Sequence, residues 1–165
     1  MSNSVILTNE QINHKIKRIA YQILEVNAKE KSLILAGITT NGFLLANKLK
    51  LVLNEISEVE ITLCEVIIDK KNPLKEIKTS IPSDTYKNKS LVLVDDVLSS
   101  GTTLMYGIKH FLDVPLKQFK TAVLVNRNHK KYPVKADFKG ISLSTTSQDN
   151  ITVEFKKNTV IAYLD

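Results

Sequence analysis

Cysteine is almost absent: Cys64 is the single one among 165 residues. No internal disulfide can form, and a reducing compartment is expected. Cys64 lies in an apolar run and reads as a buried small hydrophobe rather than a nucleophile. No apolar run is long enough to span a bilayer. No N-terminal stretch has the basic, apolar and cleavage regions of a secretion signal. A membrane role is therefore set aside and a cytoplasmic location expected. Internal repeats and low-complexity linkers are also missing, so residues 1–165 are expected to form one domain with a sizeable core. The hydrophobic share of 43% and charged share of 24% are ordinary for a globular chain. The formal net charge is +6. That balance suits anionic partners such as phosphates, nucleotides or RNA, or is simply a lysine-rich surface.

Hydrophobic periodicity supplies the elements. Thr8 and Gln11 open a helix as a capping box. Ile12, Ile16, Ile19, Ala20, Ile23 and Leu24 follow at helical spacing to about residue 28. Leu33 to Ala36 is a short strand apolar on both faces, ending at Gly37. A polar loop through Thr39, Thr40, Asn41 and Gly42 leads into a second helix carrying Leu45, Leu49 and Leu53. Val59 to Ile68 is rich in β-branched residues and reads as a strand. Residues 69–90 lack periodicity and are rich in lysine, so a long mobile loop is expected, functional or disordered. Leu91 to Val94 and Thr121 to Val125 are further buried strands, with a helix over 102–112 between them. Short strands are expected near 138–143, 151–155 and 159–164. Strands apolar on both faces that alternate with helices give an α/β fold: a mostly parallel twisted sheet flanked by helices. Ligands of such sheets bind at the carboxyl ends of the strands.

The loops 37–42 and 95–103 occupy such ends. In the second, Asp95 and Asp96 follow a buried strand. Ser99, Ser100, Gly101, Thr102 and Thr103 then open a helix. Gly101 admits a close backbone approach, and the hydroxyls with the free N–H groups at the helix start form an anion cradle. Acids beside an anion cradle fit a sugar phosphate: carboxylates accept from ribose hydroxyls while the loop holds the 5′-phosphate. Well-capped helices also carry Ser and Thr without any ligand, but adjacent acids repel and need another reason. A Mg²⁺ phosphatase or a response-regulator pocket also uses paired acids. Neither needs the hydroxyl-glycine loop at this spacing.

The stretch 91–103 resembles the signature of type I phosphoribosyltransferases, which bind 5-phosphoribosyl-1-pyrophosphate (PRPP). The resemblance implies that Asp95 and Asp96 bind the ribose hydroxyls and that 99–103 hold the 5′-phosphate. It makes Thr39, Thr40, Asn41 and Gly42 the pyrophosphate loop, and 69–90 a flexible hood from which Lys70 or Lys71 reaches the diphosphate. Mg²⁺ is then expected mainly on PRPP itself, with no protein metal site. The run from Leu124 to Gly140 and the segment Arg18 to Ile23 are similar to the PyrR group, pyrimidine-operon attenuators that also act as uracil phosphoribosyltransferases. A Lys-Pro-Asp-Phe-Val-Gly run at the base pocket of 6-oxopurine enzymes suggests Lys135 as the donor to an exocyclic oxygen of the base. His129 reads as a structural or surface residue.

Several residues depart from these patterns. Ser99 replaces the aspartate of 6-oxopurine enzymes and the aromatic residue of PyrR proteins. Asn41 replaces the arginine of the PyrR pyrophosphate loop, and in the run from Leu124 to Gly140 Asn126 and Asn128 replace the usual Asp and Gly of PyrR proteins. Tyr21 and Gln22 replace a His-Glu pair. The expectation is a phosphoribosyltransferase that joins PRPP to a nucleobase, uracil first, working as a homo-oligomer (dimer or tetramer). The alternatives are a PyrR-like regulator binding nucleotide or RNA with weak or no activity, and a 6-oxopurine phosphoribosyltransferase. A plain structural α/β domain does not account for the signature.

Overall fold

A computed structural model describes residues 3–165. The helix opened by the capping box is α1 (Asn9–Val26). The Thr8 hydroxyl accepts from the Gln11 amide at 3.3 Å, and the Gln11 side chain accepts from the Thr8 amide at 2.9 Å. Strand β2 (Ser32–Ile38) leads through two residues into α2 (Asn41–Ile56), and β3 (Glu60–Ile67) follows. Next come β4 (Lys78–Thr79), α3 (Ser83–Tyr86), β5 (Ser90–Leu98) and α4 (Thr102–Phe111). The remaining strands are β6 (Gln118–Arg127), β7 (Phe138–Leu143), β8 (Ile151–Phe155) and β9 (Val160–Leu164). A strand at the other end of the chain, β1 (Ser4–Leu7), is an element the sequence pattern does not reveal.

The main sheet has the order β4-β3-β2-β5-β6-β7. Its strands run parallel except the two-residue edge strand β4. Alternate residues of each central strand enter different cores. Leu33, Leu35, Val92, Val94, Ala122 and Leu124 face α1 and α2. Ile34, Ala36, Leu91, Leu93 and Val123 face α3 and α4. Burial on both faces is why these strands read as unbroken apolar runs. Chain order turns around between β2 and β5, since β3 extends the sheet one way and β6 and β7 the other. The crevice at this reversal is where open α/β sheets bind ligands.

A second sheet, β1-β9-β8, is antiparallel. Its Val153, Val160 and Ala162 pack into the same core as α1 and α2. The small second layer of the fold is thus built from the two ends of the chain.

Residues 69–90 are shorter of loop than expected. Ile77 and Ile81 pack on the core, β4 adds to the sheet edge, and Tyr86 of α3 is buried with its ring edge-on to Phe111 at 5.0 Å. The open stretch is confined to about 69–77, where Asp69 accepts from the amides of Lys71 and Asn72 and pairs with Lys75 at 2.8 Å. Spaced single anchors such as Ile77, Ile81 and Tyr86 leave no periodic trace. Cys64 is fully buried, and that burial raises its thiol above the usual range. No helix among the described residues is long and apolar enough to cross a membrane.

Candidate functional site

Strand β5 runs four residues further than its apolar stretch, so Asp95 and Asp96 lie within it rather than beyond it. Both are buried, Asp95 being only 4% exposed and Asp96 8%. Parallel pairing to β6 continues past them, with Asp95 opposite Val123 and Val97 opposite Val125. That pairing keeps the acids inside the sheet. Their carboxylates nevertheless line a cavity of about 310 Å³.

Each acid is held by local bonds. Asp95 Oδ1 accepts from the Asp96 amide and Asp96 Oδ1 from the Val97 amide, both at 2.9 Å. Lys70 Nζ stands 3.6 Å from Asp95. Burial, reinforced by the neighbouring Asp96 charge, pushes the Asp95 carboxyl up to about 8, against the opposing pull of Lys70. Asp95 therefore keeps its proton to higher pH than a surface carboxyl does, and in its protonated form it can donate as well as accept.

The floor of the cavity is the turn into α4. Gly101 is the residue before the helix and has φ +85. A Cβ there would also lie 2.5 Å from Val134 Cγ1, so the position requires glycine twice over. The Ser100 hydroxyl meets that of Thr102 at 2.9 Å. The first amides of α4 have no intrahelical partner. Such amides, together with the helix dipole, suit an anion. Ser99, Ser100, Gly101 and Thr103 line the cavity. Ser100 also anchors the segment after β6, its carbonyl accepting from the amides of Lys131 and Tyr132.

The loop between β2 and α2 sits beside the acids. Thr39 bonds to the Val66 carbonyl through its amide and hydroxyl, its peptide link to Thr40 is cis, and Thr40 is exposed. Gly42 lies so close to β5 that a Cβ would come within 2.6 Å of the Val94 carbonyl oxygen. Asn41 spends both side-chain N–H groups inside the protein. It donates to Asp96 Oδ2 at 2.9 Å and to the carbonyl of Val153 in β8 at 2.8 Å. Asn41 thereby ties loop, acid pair and second sheet together.

Lys70 and the 95–103 residues converge as the sequence leads one to expect, apart from Thr102, which is not among the cavity-lining residues. Lys135 does not join them: it is exposed and absent from the cavity wall. Residues that sequence reasoning missed in that wall are the apolar Leu104, Val123 and Ile151 and the polar Arg127 and Asn150. Arg127 is 6% exposed, and an apolar strand ending in an arginine was the one available signal. Among the described residues no group of three or more His, Cys, Asp and Glu side chains could hold a metal ion. The oxygens on offer are those of Asp95 and Asp96, which suit an outer contact to a cation brought in by a ligand.

Known proteins show a clear likeness to this chain. The family described as phosphoribosyl transferase domain matches residues 2–158. A bifunctional protein PyrR of Geobacter sp. (strain M21) is 36% identical over 162 residues, covering 93% of this chain and 91% of its own. A bifunctional protein PyrR of Fusobacterium nucleatum is 33% identical over 162 residues, with the same coverage. Among solved structures, a hypoxanthine-guanine phosphoribosyltransferase from Bacillus anthracis superposes with a TM-score of 0.78 over 100% of both chains at 17% identity. At that identity the likeness concerns the fold.

Proposed function

The chain belongs to the phosphoribosyltransferase family, with relatives in its PyrR group, and from that premise we infer that it transfers the 5-phosphoribosyl group of PRPP to a nucleobase, uracil first. The observation that carries this reading is the convergence of a buried acid pair, a lysine and a helix N-terminus on one cavity at the sheet's reversal point. In this reading the ribose hydroxyls donate to Asp95 and Asp96, and the 5′-phosphate rests on Ser100 to Thr103. The diphosphate extends toward Thr39 to Gly42 and Lys70.

The C1′–oxygen bond to pyrophosphate breaks as the C1′–nitrogen bond to the base forms. The base nitrogen gives up its proton to water or to the departing pyrophosphate, and the electron pair of the broken C1′–oxygen bond leaves with pyrophosphate. Positive charge develops at C1′ on the way. The chain contributes position and electrostatics: the acids fix the sugar, α4 fixes the phosphate, and Lys70 offsets charge on the leaving group. Mg²⁺ arriving on the diphosphate oxygens would supply further charge neutralisation there. In this reading residues near 69–77 cover the site and exclude water.

One observation favours a second reading, a nucleotide-binding regulator with slow transfer. Asn41 offers no charge to a diphosphate, and both its N–H groups are already bonded within the protein. RNA binding, a homo-oligomeric state and a cytoplasmic location fit either reading and remain part of this proposal. The test is a base panel of uracil, hypoxanthine, guanine, xanthine, adenine and orotate, each assayed with PRPP and Mg²⁺. Uracil should be turned over fastest. Good turnover of hypoxanthine or guanine with none of uracil would establish the 6-oxopurine alternative. PRPP binding with no turnover of any base would favour the regulator.

A further inference from the structure

We propose that Arg127, and not Lys135, selects the base, by donating hydrogen bonds to a carbonyl oxygen on the ring edge that faces Ser99. The proposal rests on the transferase reading above and deepens it.

Arg127 ends β6, the strand next to β5, and its side chain lines the cavity while being 6% exposed. Its guanidinium is fixed at all three nitrogens. Nε donates to Thr145 Oγ1 at 2.6 Å, one terminal nitrogen to Ser99 Oγ at 3.3 Å, and the other to the Thr146 carbonyl at 2.8 Å. Thr146 is held in turn by Asp149, which accepts from its amide at 2.9 Å and its hydroxyl at 2.7 Å. The arginine plane is thus oriented before any ligand arrives.

The bonding is also incomplete. A guanidinium has five N–H donors, and the three bonds above leave two, one on each terminal nitrogen. None of the ion pairs among the described residues includes Arg127. The Asp149 carboxylate feels the Arg127 charge without forming a direct ion pair, and the two remaining donors of a buried guanidinium still call for acceptors.

The position of Arg127 assigns those acceptors to the base. In the transferase reading Asp95 and Asp96 take the sugar and the start of α4 the phosphate. Arg127, Asn150 and Ile151 belong to the part of the wall that this arrangement leaves open, together with Val123. Ser99, which accepts from Arg127, directly precedes the turn that holds the phosphate in the transferase reading. Free guanidinium donors match an oxo group, singly or paired with a ring nitrogen acceptor, and oppose an exocyclic amino group. The recognised chemistry is an oxo-substituted ring, which uracil and the 6-oxopurines share and cytosine and adenine lack at the corresponding position. Lys135 has no comparable fixation, being exposed and outside the wall.

Calorimetric titration of the whole protein with UMP, CMP, GMP, AMP and ribose 5-phosphate tests this. UMP should bind at least about tenfold tighter than CMP, or GMP tighter than AMP by a similar factor. Which pair shows the preference identifies the natural ring. Arg127→Gln should bring the favoured pair to within about threefold and leave ribose 5-phosphate affinity unchanged. Arg127→Lys keeps the charge but not the planar fork and should restore little of the preference. Equal wild-type affinities within both pairs would overturn the proposal without need of any variant. So would an Arg127→Gln protein that loses ribose 5-phosphate binding as strongly as UMP, since the arginine would then serve the phosphate. Failure of ribose 5-phosphate and every nucleotide to bind would instead overturn the transferase reading on which the proposal stands.

Discussion

Burial of Asp95 beside Asp96 raises its carboxyl from an ordinary 3.8 to about 8. The folded state therefore holds a proton between about pH 4 and pH 8 that the unfolded chain has released. Stability contributed by this group is fully present below the unfolded value, falls as pH rises through that window, and levels off above 8. Asp95→Asn removes the effect. The variant should be more stable than wild type at pH 7 to 8 by on the order of a few kcal/mol, and equal to it near pH 4. Urea unfolding across pH reads this, and parallel curves for the two proteins would contradict it. Ribose hydroxyls donate best to an ionised carboxylate. Ligand binding near pH 7 should therefore release up to one proton, seen as a binding heat that varies with the buffer's ionisation enthalpy. A heat independent of buffer would show that Asp95 keeps its proton. Asn41→Ala belongs to the same scale. It removes the donor to Asp96 and to the Val153 carbonyl, and should cost about 1–3 kcal/mol in urea unfolding. A loss below about 0.5 kcal/mol would mean that water replaces both bonds.

At the level of elements, the turn before α4 is the least tolerant. Gly101→Ala places a Cβ 2.5 Å from Val134 Cγ1 at φ +85. It should weaken ribose 5-phosphate binding by about tenfold or more, because the turn and the 131–134 segment must both shift. Unchanged affinity would place the phosphate elsewhere. The open stretch near 69–77 should gain protection from amide hydrogen exchange when PRPP and Mg²⁺ bind, whereas α3 should change little. Protection of neither would deny it a covering role.

These elements differ in how much the sequence discloses. The central strands are plain because both faces are buried, so Leu91 to Val94 or Thr121 to Val125 carry no polar residue on either side except Thr121. The start of α1 is plain because capping uses local side chains. β1 is short and half exposed, and its partner β9 lies at the far end of the chain. β4 has two residues and α3 four, too few for a period to show. The acid pair and the turn into α4 are contiguous, so their spacing survives in one dimension. Arg127 escapes notice because Ser99, Thr145 and Thr146 give it meaning, and they are 28, 18 and 19 residues away. Lys135 attracts notice because a lysine's chemistry reads the same whether its side chain faces a cavity or water.

In the whole molecule, the two sheets meet at the candidate site. The main sheet supplies Asp95, Asp96 and Arg127, and the entry to β8 supplies Asn150 and Ile151. A ligand that bridges them should stabilise the native state as a unit, with the melting temperature rising with the logarithm of ligand concentration. The net charge of +6 adds a general attraction for anions that salt should weaken. The specific cavity contacts should survive better, being largely buried. The central claim is that this cavity transfers a phosphoribosyl group. The most direct measurement is the appearance of UMP when the protein is mixed with uracil, PRPP and Mg²⁺, beside the Asp95→Asn/Asp96→Asn double variant. The account predicts UMP and pyrophosphate in equal amounts from the wild type and neither from the folded double variant. UMP formed by the double variant at the wild-type rate, or no nucleotide from the wild type with any base of the panel, would contradict it.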